Sequence, residues 1–142
     1  MDQGNHGVNG VSHIGTIIIP SFRNYYSTDM KKYQLGEFEE IVLLTIAILH
    51  KDAYGVSIKE EIENRLERDV SMGALHAALV RLEDKGYVKS FNGETTADRA
   101  GRPRRYFQIT ALGKKAMEYT RKTREELWKA IPKISLDLKI SS

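Results

Sequence analysis

A cluster of arginines is the feature of this sequence that most directly indicates a chemical role. Four arginines fall within seven residues, at Arg99, Arg102, Arg104 and Arg105. A guanidinium is permanently charged and carries five donors in a fixed fork, which suits phosphate oxygens. The cluster lies between two short segments of alternating hydrophobicity, so it is predicted to occupy the turn of a β-hairpin. A solvated charged surface is the plainer interpretation, but clustering at a turn favours binding of a polyanion.

A second group of residues lies on a predicted helix that begins after Ser71. Ser71 is a good N-cap, and Gly86 is placed where a glycine would end the helix. One face carries an apolar stripe at helical spacing, formed by Met72, Leu75, Leu79 and Leu82. The opposite face carries small or hydrogen-bonding residues, namely Gly73, Ala74, His76, Ala77 and Arg81. Because several side chains on this face are small, the helix backbone could approach the bases in a DNA major groove, which is about 12 Å wide.

The sequence lacks the residue patterns of common catalytic and metal-binding sites. It has no cysteines, so disulfides, zinc ribbons and thiol nucleophiles are excluded. The four histidines are too widely separated for metal-ligand spacing, and neither a phosphate-binding loop nor a Gly-x-Ser-x-Gly elbow occurs. The paired carboxylates Glu39–Glu40 and Glu60–Glu61 are interpreted as solvated helix surfaces. We therefore expect a protein that is not an enzyme and uses no cofactor or metal.

Charge is unevenly distributed along the 142 residues, of which 29% are charged and 41% hydrophobic. Residues 35–70 hold nine acidic and four basic side chains, whereas residues 71–133 hold fourteen basic and seven acidic ones. The basic second half indicates a polyanionic partner. The longest apolar run, residues 41–49, is interrupted only by Thr45 and is far shorter than the about 20 residues that span a membrane. We therefore expect a cytoplasmic protein with no membrane partner.

Three helices are predicted ahead of the arginine cluster. The first begins with acidic residues after Gly36 and runs to Leu49, since carboxylates are favourable in a first helical turn. The second runs from about residue 55 to Leu66, with apolar residues every four positions. The third is the helix that Ser71 begins.

A hairpin and a last helix follow. Residues 87–91 and 105–109 alternate between apolar and polar side chains, which predicts two antiparallel strands. Thr110 then caps the last helix, and Pro132 ends it. The order of helix, helix, helix and hairpin is that of a winged helix-turn-helix. The predicted fold is therefore mainly α with a small β-hairpin, extended by a C-terminal helix.

The two ends of the chain are predicted to lie outside this domain. Residues 1–34 are rich in glycine and show no lasting periodicity, which predicts a flexible extension. The winged helix-turn-helix domain is assigned to residues 35–110, and the last helix to residues 111–132. In the tail, residues 133–142, apolar residues alternate in a strand-like pattern that could pack on a partner subunit or stay loose.

Three stretches of the chain, in this order, resemble the PadR family of transcriptional regulators. Residues 35–44, followed by Ala53-Tyr54-Gly55-Val56, resemble the start of the family's domain. Residues 71–86 are similar to its recognition helix, and residues 101–110 to its basic wing. The resemblance implies a DNA-binding regulator of the short PadR subgroup. One departure is His76, where the family most often has tyrosine; because His76 lies off the leucine stripe, we expect it to face DNA.

The resemblance also implies a homodimer formed through the last helix. This helix has apolar or aromatic residues on more than one side, which independently favours burial against another subunit. The expected interface residues are Leu112, Ala116, Tyr119, Thr123, Leu127, Trp128 and Ile131. In some family members a tryptophan on this helix stacks planar drugs, so Trp128 is a candidate contact for a small-molecule inducer. Interface packing is the plainer interpretation of this tryptophan.

Together these features predict a repressor that binds an inverted-repeat operator in double-stranded DNA. Each subunit would place the Ser71 helix in a major groove, with half-sites about 34 Å apart. Ser71, His76 and Arg81 would contact bases or phosphates, and the arginine cluster would contact phosphates or the minor groove. The alternative is a winged-helix module that binds proteins instead of DNA, because a fold does not fix a function. Such modules usually lack wing cations, so the arginine cluster favours DNA.

Overall fold

A computed structural model describes residues 11–14, 17–20, 33–95 and 100–138 of the chain. The chain divides into two units, residues 1–34 and residues 35–142, which are described separately. In the first unit, β1 (Val11–Ile14) pairs antiparallel with β2 (Ile17–Pro20). These strands are not predicted from the sequence, because four residues are too few to show a periodicity. Most of residues 1–34, for which flexibility is predicted, lie outside the described ranges.

The second unit contains the helices and the hairpin predicted from the sequence. Its elements are α1 (Glu37–Leu49), a 3₁₀ turn (His50–Asp52), α2 (Gly55–Leu66), α3 (Met72–Asp84), β3 (Val88–Thr95), β4 (Pro103–Ile109), α4 (Ala111–Ala130) and α5 (Lys133–Leu136). The two strands pair antiparallel, with Val88 opposite Ile109. The predicted fold class, mainly α with one small hairpin, is confirmed.

Local sequence signals set the boundaries of α3 and α4. The Ser71 Oγ accepts a hydrogen bond from the Ala74 amide at 3.1 Å, and the Thr110 Oγ1 accepts one from the Gly113 amide at 3.0 Å. Both are N-cap bonds that satisfy an amide without a helical partner. Gly86, with φ of 77°, adopts the left-handed conformation that lets the chain leave α3 and enter β3.

The core lies where α1, α2 and α3 meet the base of the hairpin. Its buried side chains include Val42, Leu43, Ile46, Ile58, Ile62, Leu75, Leu79, Leu82, Tyr87, Val88 and Phe107. The Phe107 amide also donates to the Ala53 carbonyl at 2.9 Å, so β4 is tied by its backbone to the segment before α2. The hairpin is thereby anchored to the helices, and α3 is held by its leucine face.

Two apolar residues and the tail depart from the prediction. Met72, the first residue of α3, and Leu66, the last of α2, are exposed because the core no longer covers these helix ends. The strand-like alternation of the tail does not produce a strand at residues 133–136, which form the helical turn α5. An isolated strand is unstable without a partner, whereas the Ser135 amide donates a hydrogen bond to the Pro132 carbonyl at 2.9 Å and so closes the turn. Ile140 lies outside the described residues.

Across the described ranges, no helix is long and apolar enough to cross a membrane.

Candidate nucleic-acid interface

The outer face of α3 is exposed to solvent, beginning at its N-terminal end. Its predicted contact residues are all exposed, namely Ser71, Gly73, Ala74, His76, Ala77 and Arg81. A Cβ atom built on Gly73 would meet no atom within 4 Å, so packing within the chain does not require glycine at this position. The buried Leu75, Leu79 and Leu82 hold the opposite face against the core. The structure therefore presents a rigid helix with an uncrowded surface, which a DNA backbone could approach closely.

A cleft of about 230 Å³ separates α3 from β4. Val56 and Met72 contribute apolar walls, while His76, Arg104 and Arg105 contribute polar ones. The cleft thus brings together a histidine from α3 and two arginines from the predicted wing. An anionic group placed at its mouth would meet side chains from both elements.

Arg104 is oriented by an aromatic side chain at the start of α2. Its guanidinium carbon lies 4.0 Å from the centroid of the Tyr54 ring, and its Nε is enclosed without a hydrogen-bond partner. The Tyr54 ring packs edge-on against Tyr106 of β4, with 5.7 Å between ring centroids. Stacking on an aromatic face fixes the plane of a guanidinium. The sequence does not mark Tyr54 as part of the site, because this contact joins residues 50 positions apart.

The remaining arginines of the cluster differ in their surroundings. Arg105 lies 3.0 Å from the Glu83 carboxylate and also donates to the Ser90 hydroxyl. Arg102 is exposed, and the described part of the chain provides no ion pair for it. Arg99 lies outside the described residues. Nothing in the sequence marks Glu83 and Ser90 as neighbours of Arg105.

A buried carboxylate supports the C-terminal end of α3. Glu39 accepts hydrogen bonds from the Lys85 ammonium at 2.8 Å and from the Gly36 amide at 2.9 Å, and Arg81 lies 3.9 Å away. Burial alone would raise the pKa of Glu39, but the hydrogen bonds from Lys85 and Gly36, together with the charge of Arg81, hold that pKa below its usual value. The expectation that Glu39 belongs to a solvated surface is wrong, because the residue is only 7% exposed. Its neighbour Glu40 is half-buried and pairs with Arg124 of α4.

The predicted interface residues of α4 fall into two groups. Near the start of the helix, Ala116 is fully buried within its own chain, and Leu112 packs over Gly86. Tyr119, Thr123 and Ile131 are half-buried. Near the end of the helix, Leu127 and Trp128 are each 65% exposed. The chain's own packing therefore explains the apolar residues at the start of the helix and leaves those at its end without cover.

A groove of about 480 Å³ runs between α1 and α4. Leu44, Met117 and Trp128 supply its apolar lining, and Glu40 lies at its edge with one carboxylate oxygen, Oε2, enclosed and unpaired. The exposed Ile48 extends the apolar surface along α1. Trp128 belongs both to the exposed end of α4 and to the groove, whose remaining lining residues are charged, namely Lys114, Glu118, Arg121, Arg124 and Glu125.

Three helices with a basic antiparallel hairpin beside the third define a winged helix-turn-helix protein. The chain belongs to the PadR-like family of transcriptional regulators, whose profile matches residues 43–119. This is a family of regulators and not of enzymes.

The similar proteins include one uncharacterised relative and two solved structures of PadR-family regulators. An uncharacterised protein of Lysinibacillus sphaericus is 36% identical over 81 residues, which cover 56% of this chain and 70% of that protein. Among solved structures, a PadR-like transcription factor from Bacteroides fragilis has a TM-score of 0.56 at 25% identity, covering 74% of this chain and 93% of its own. A PadR family transcription regulator from Clostridium difficile has a TM-score of 0.50 at 29% identity, covering 63% and 91%.

Proposed function

We propose that this protein is a homodimeric, sequence-specific DNA-binding repressor. The observation that carries the proposal is the open, small-residue face of α3 beside a cleft lined by His76 and the wing arginines. Such a face admits close approach of a major groove, while the adjacent cations meet the flanking phosphates.

The residues of α3 divide into two roles in this proposal. Gly73, Ala74 and Ala77 leave room for the edges of the bases, because none of them projects beyond a methyl group. Ser71, His76 and Arg81 supply the hydrogen-bonding groups that contact bases or phosphates. Arg81 is 3.9 Å from Glu39, a distance long enough for the exposed guanidinium to turn toward a phosphate.

The wing supplies the sequence-independent part of the binding. Arg102, which is exposed, and Arg104, which is oriented by Tyr54, contact phosphates or the minor groove, and Arg99 continues the same basic run. Each phosphate neutralised in this way releases counterions, so binding weakens steeply as salt rises.

Dimerisation is proposed through the uncovered end of α4. Leu127 and Trp128, together with the groove against α1, provide an apolar surface that a second copy can cover. A twofold dimer would set two α3 helices on one side of the duplex, with half-sites about one helical turn apart on an inverted repeat.

A planar, apolar ligand is the class of inducer that this groove fits. Its volume of about 480 Å³ falls within the range of small-molecule sites, and the ring of Trp128 offers a stacking surface. The enclosed Oε2 of Glu40 supplies one polar group to orient the ligand. A ligand in this groove would act on the proposed dimer interface, since Trp128 is assigned to both.

The test is fluorescence anisotropy with duplexes tiled across the region upstream of the protein's own gene. A shuffled duplex of equal length serves as the control, and each titration is run at two salt concentrations. Tighter binding to a native duplex, with a steep salt dependence on both DNAs, supports specific recognition. Absence of binding to either DNA at low salt would reject the proposal and favour a winged-helix module that binds proteins.

A further inference from the structure

Arg105 belongs to a network of three side chains that joins α3 to both strands of the wing. Its Nη2 donates to the Ser90 Oγ at 2.7 Å and lies 3.0 Å from the Glu83 Oε2. The Ser90 Oγ in turn donates to the Glu83 Oε1 at 2.6 Å. Because Glu83 lies on α3, Ser90 on β3 and Arg105 on β4, one set of charge-assisted hydrogen bonds spans all three elements.

The network extends the anchoring of the wing beyond the hydrophobic core. In the hairpin register, Ser90 lies opposite the buried Phe107, and Arg105 is two residues nearer to the tip of the wing. Phe107 is the only buried residue of β4, and the residues on either side of Arg105, Arg104 and Tyr106, pack on the Tyr54 ring at the start of α2 but not on α3. At the position of Arg105, the network with Glu83 and Ser90 links the wing to α3.

Arg105 also differs electrostatically from Arg102. The charge of Arg105 is already met by the Glu83 carboxylate, so a phosphate would have to displace that pair. Arg102 has no ion pair among the described residues, so a phosphate would replace only water at its guanidinium. Arg102 is therefore more readily available to a phosphate than Arg105.

We propose that Arg105 is a positioning residue: with Glu83 and Ser90 it fixes the wing beside α3 and does not itself bind a DNA phosphate. The inference rests on the proposed DNA-binding function. A wing that is fixed before DNA arrives loses less conformational freedom on binding, so the network strengthens binding without touching the DNA.

The decisive comparison is between Arg105→Ala and Glu83→Gln in the full chain, titrated with the native upstream duplex. Removing a cation should weaken DNA binding, and removing an anion should strengthen it, if charge alone matters. If the network positions the wing, both substitutions weaken binding, by about two- to fivefold, the range expected for a half-exposed ion pair. Glu60→Gln removes an exposed carboxylate of α2 away from the network and is the matched control for charge.

Two further measurements separate positioning from phosphate contact. The slope of log K against log salt should stay unchanged in Arg105→Ala, whereas loss of a phosphate contact lowers that slope by about one. The charge-swapped double variant, Glu83→Arg with Arg105→Glu, should recover most of the lost affinity, because the pair is re-formed with its polarity reversed. Circular dichroism melts of each variant establish that it is folded.

Three results would overturn the inference. They are a lower salt slope in Arg105→Ala, tighter DNA binding by Glu83→Gln than by Glu60→Gln, and a folded double variant that binds no better than Arg105→Ala. If the double variant does not fold, the directions of the two single substitutions decide. Failure of the wild-type protein to bind any duplex would instead reject the proposed function itself, which is a separate outcome from these three.

Discussion

Glu39 of α1 and Lys85, the residue after α3, lie 46 positions apart in the chain but only 2.8 Å apart between carboxylate and ammonium. The adjacent carboxylate, Glu40, is bonded to Arg124 of α4 at 2.7 Å. Two consecutive residues in the first turn of α1 therefore hold two different helices, the one proposed to read DNA and the one proposed to form the dimer. The start of α1 therefore contacts both of them through ion pairs.

The depressed pKa of Glu39 gives a prediction about stability and pH. A carboxylate whose pKa is lowered on folding stabilises the protein above its usual pKa of 4.5, and that stabilisation is lost as the pH falls through the lower, folded value. Glu39→Gln should therefore lower the free energy of unfolding by about 1.5–3 kcal/mol at neutral pH, the range for a hydrogen bond to a charged group. The difference from wild type should shrink as the pH is lowered below 4.5.

Urea denaturation of both proteins at a series of pH values measures this effect. Glu37→Gln is the control, since Glu37 lies in the same helical turn but is exposed and pairs with Arg68 at the surface. This control should change stability by no more than about 0.5 kcal/mol. A difference between Glu39→Gln and wild type that stays constant down to acid pH would contradict the assigned ion pair.

The boundaries of these elements could be predicted because they depend on neighbouring residues. The N-caps at Ser71 and Thr110 and the glycine at Gly86 act within a few positions of the chain, and the structure places them as expected. The same holds for the leucine face of α3, whose periodicity is visible in one segment. The α5 turn shows the limit of this reasoning, since a short alternating pattern does not establish a strand that has no partner.

The side-chain pairs of the site could not be predicted, because they join distant parts of the chain. Glu39 has the sequence context of a solvated helix start, and only the packing of α1 beside α3 buries it against Lys85. Likewise, Arg104 and Arg105 are equivalent in sequence, but alternation along β4 gives them different partners, Tyr54 for the first and Glu83 for the second.

Gly73 provides a test of which face of α3 meets DNA. Because a Cβ at this position meets no atom within 4 Å, Gly73→Ala should raise the free energy of unfolding by about 0.5–1 kcal/mol through its higher helix propensity. Gly73→Glu should fold normally but lose operator binding, since its carboxylate would project toward phosphates. Melting temperatures and anisotropy titrations of both variants check this, and operator binding by Gly73→Glu would mean that another face of α3 is used.

Arg102 and Arg104 should respond differently to truncation. Arg102→Ala should leave the melting temperature unchanged, weaken binding to every DNA sequence and lower the salt slope by about one. Arg104→Ala should in addition lose the stacking on Tyr54, which costs about 0.5–2 kcal/mol of stability. Paired salt titrations and thermal melts measure both quantities. An unchanged salt slope in Arg102→Ala would remove this residue from the DNA contact surface.

The N-terminal segment is expected to contribute little to DNA binding. An arm that enters a minor groove generally carries several arginines or lysines, and Arg23 is the single residue of these two types within residues 1–29. Deleting residues 1–29 should therefore leave the affinity for the native duplex nearly unchanged. An anisotropy titration that shows a loss of more than about tenfold would establish a role for this segment in binding.

The uncovered end of α4 gives a prediction about the oligomeric state. Leu127→Glu places a charge on an apolar side chain that is 65% exposed in a single chain, so it should not destabilise the monomer fold but should oppose burial against a second copy. Sedimentation velocity should show a dimer for wild type and a shift toward monomer for this variant. Lys122→Glu, a larger charge change on the same helix away from the predicted interface, should remain dimeric.

Because a monomer contacts only one half-site, Leu127→Glu should also bind the operator more weakly, by a factor that falls as protein concentration rises. A Leu127→Glu protein that stays fully dimeric would place the dimer interface elsewhere on the chain.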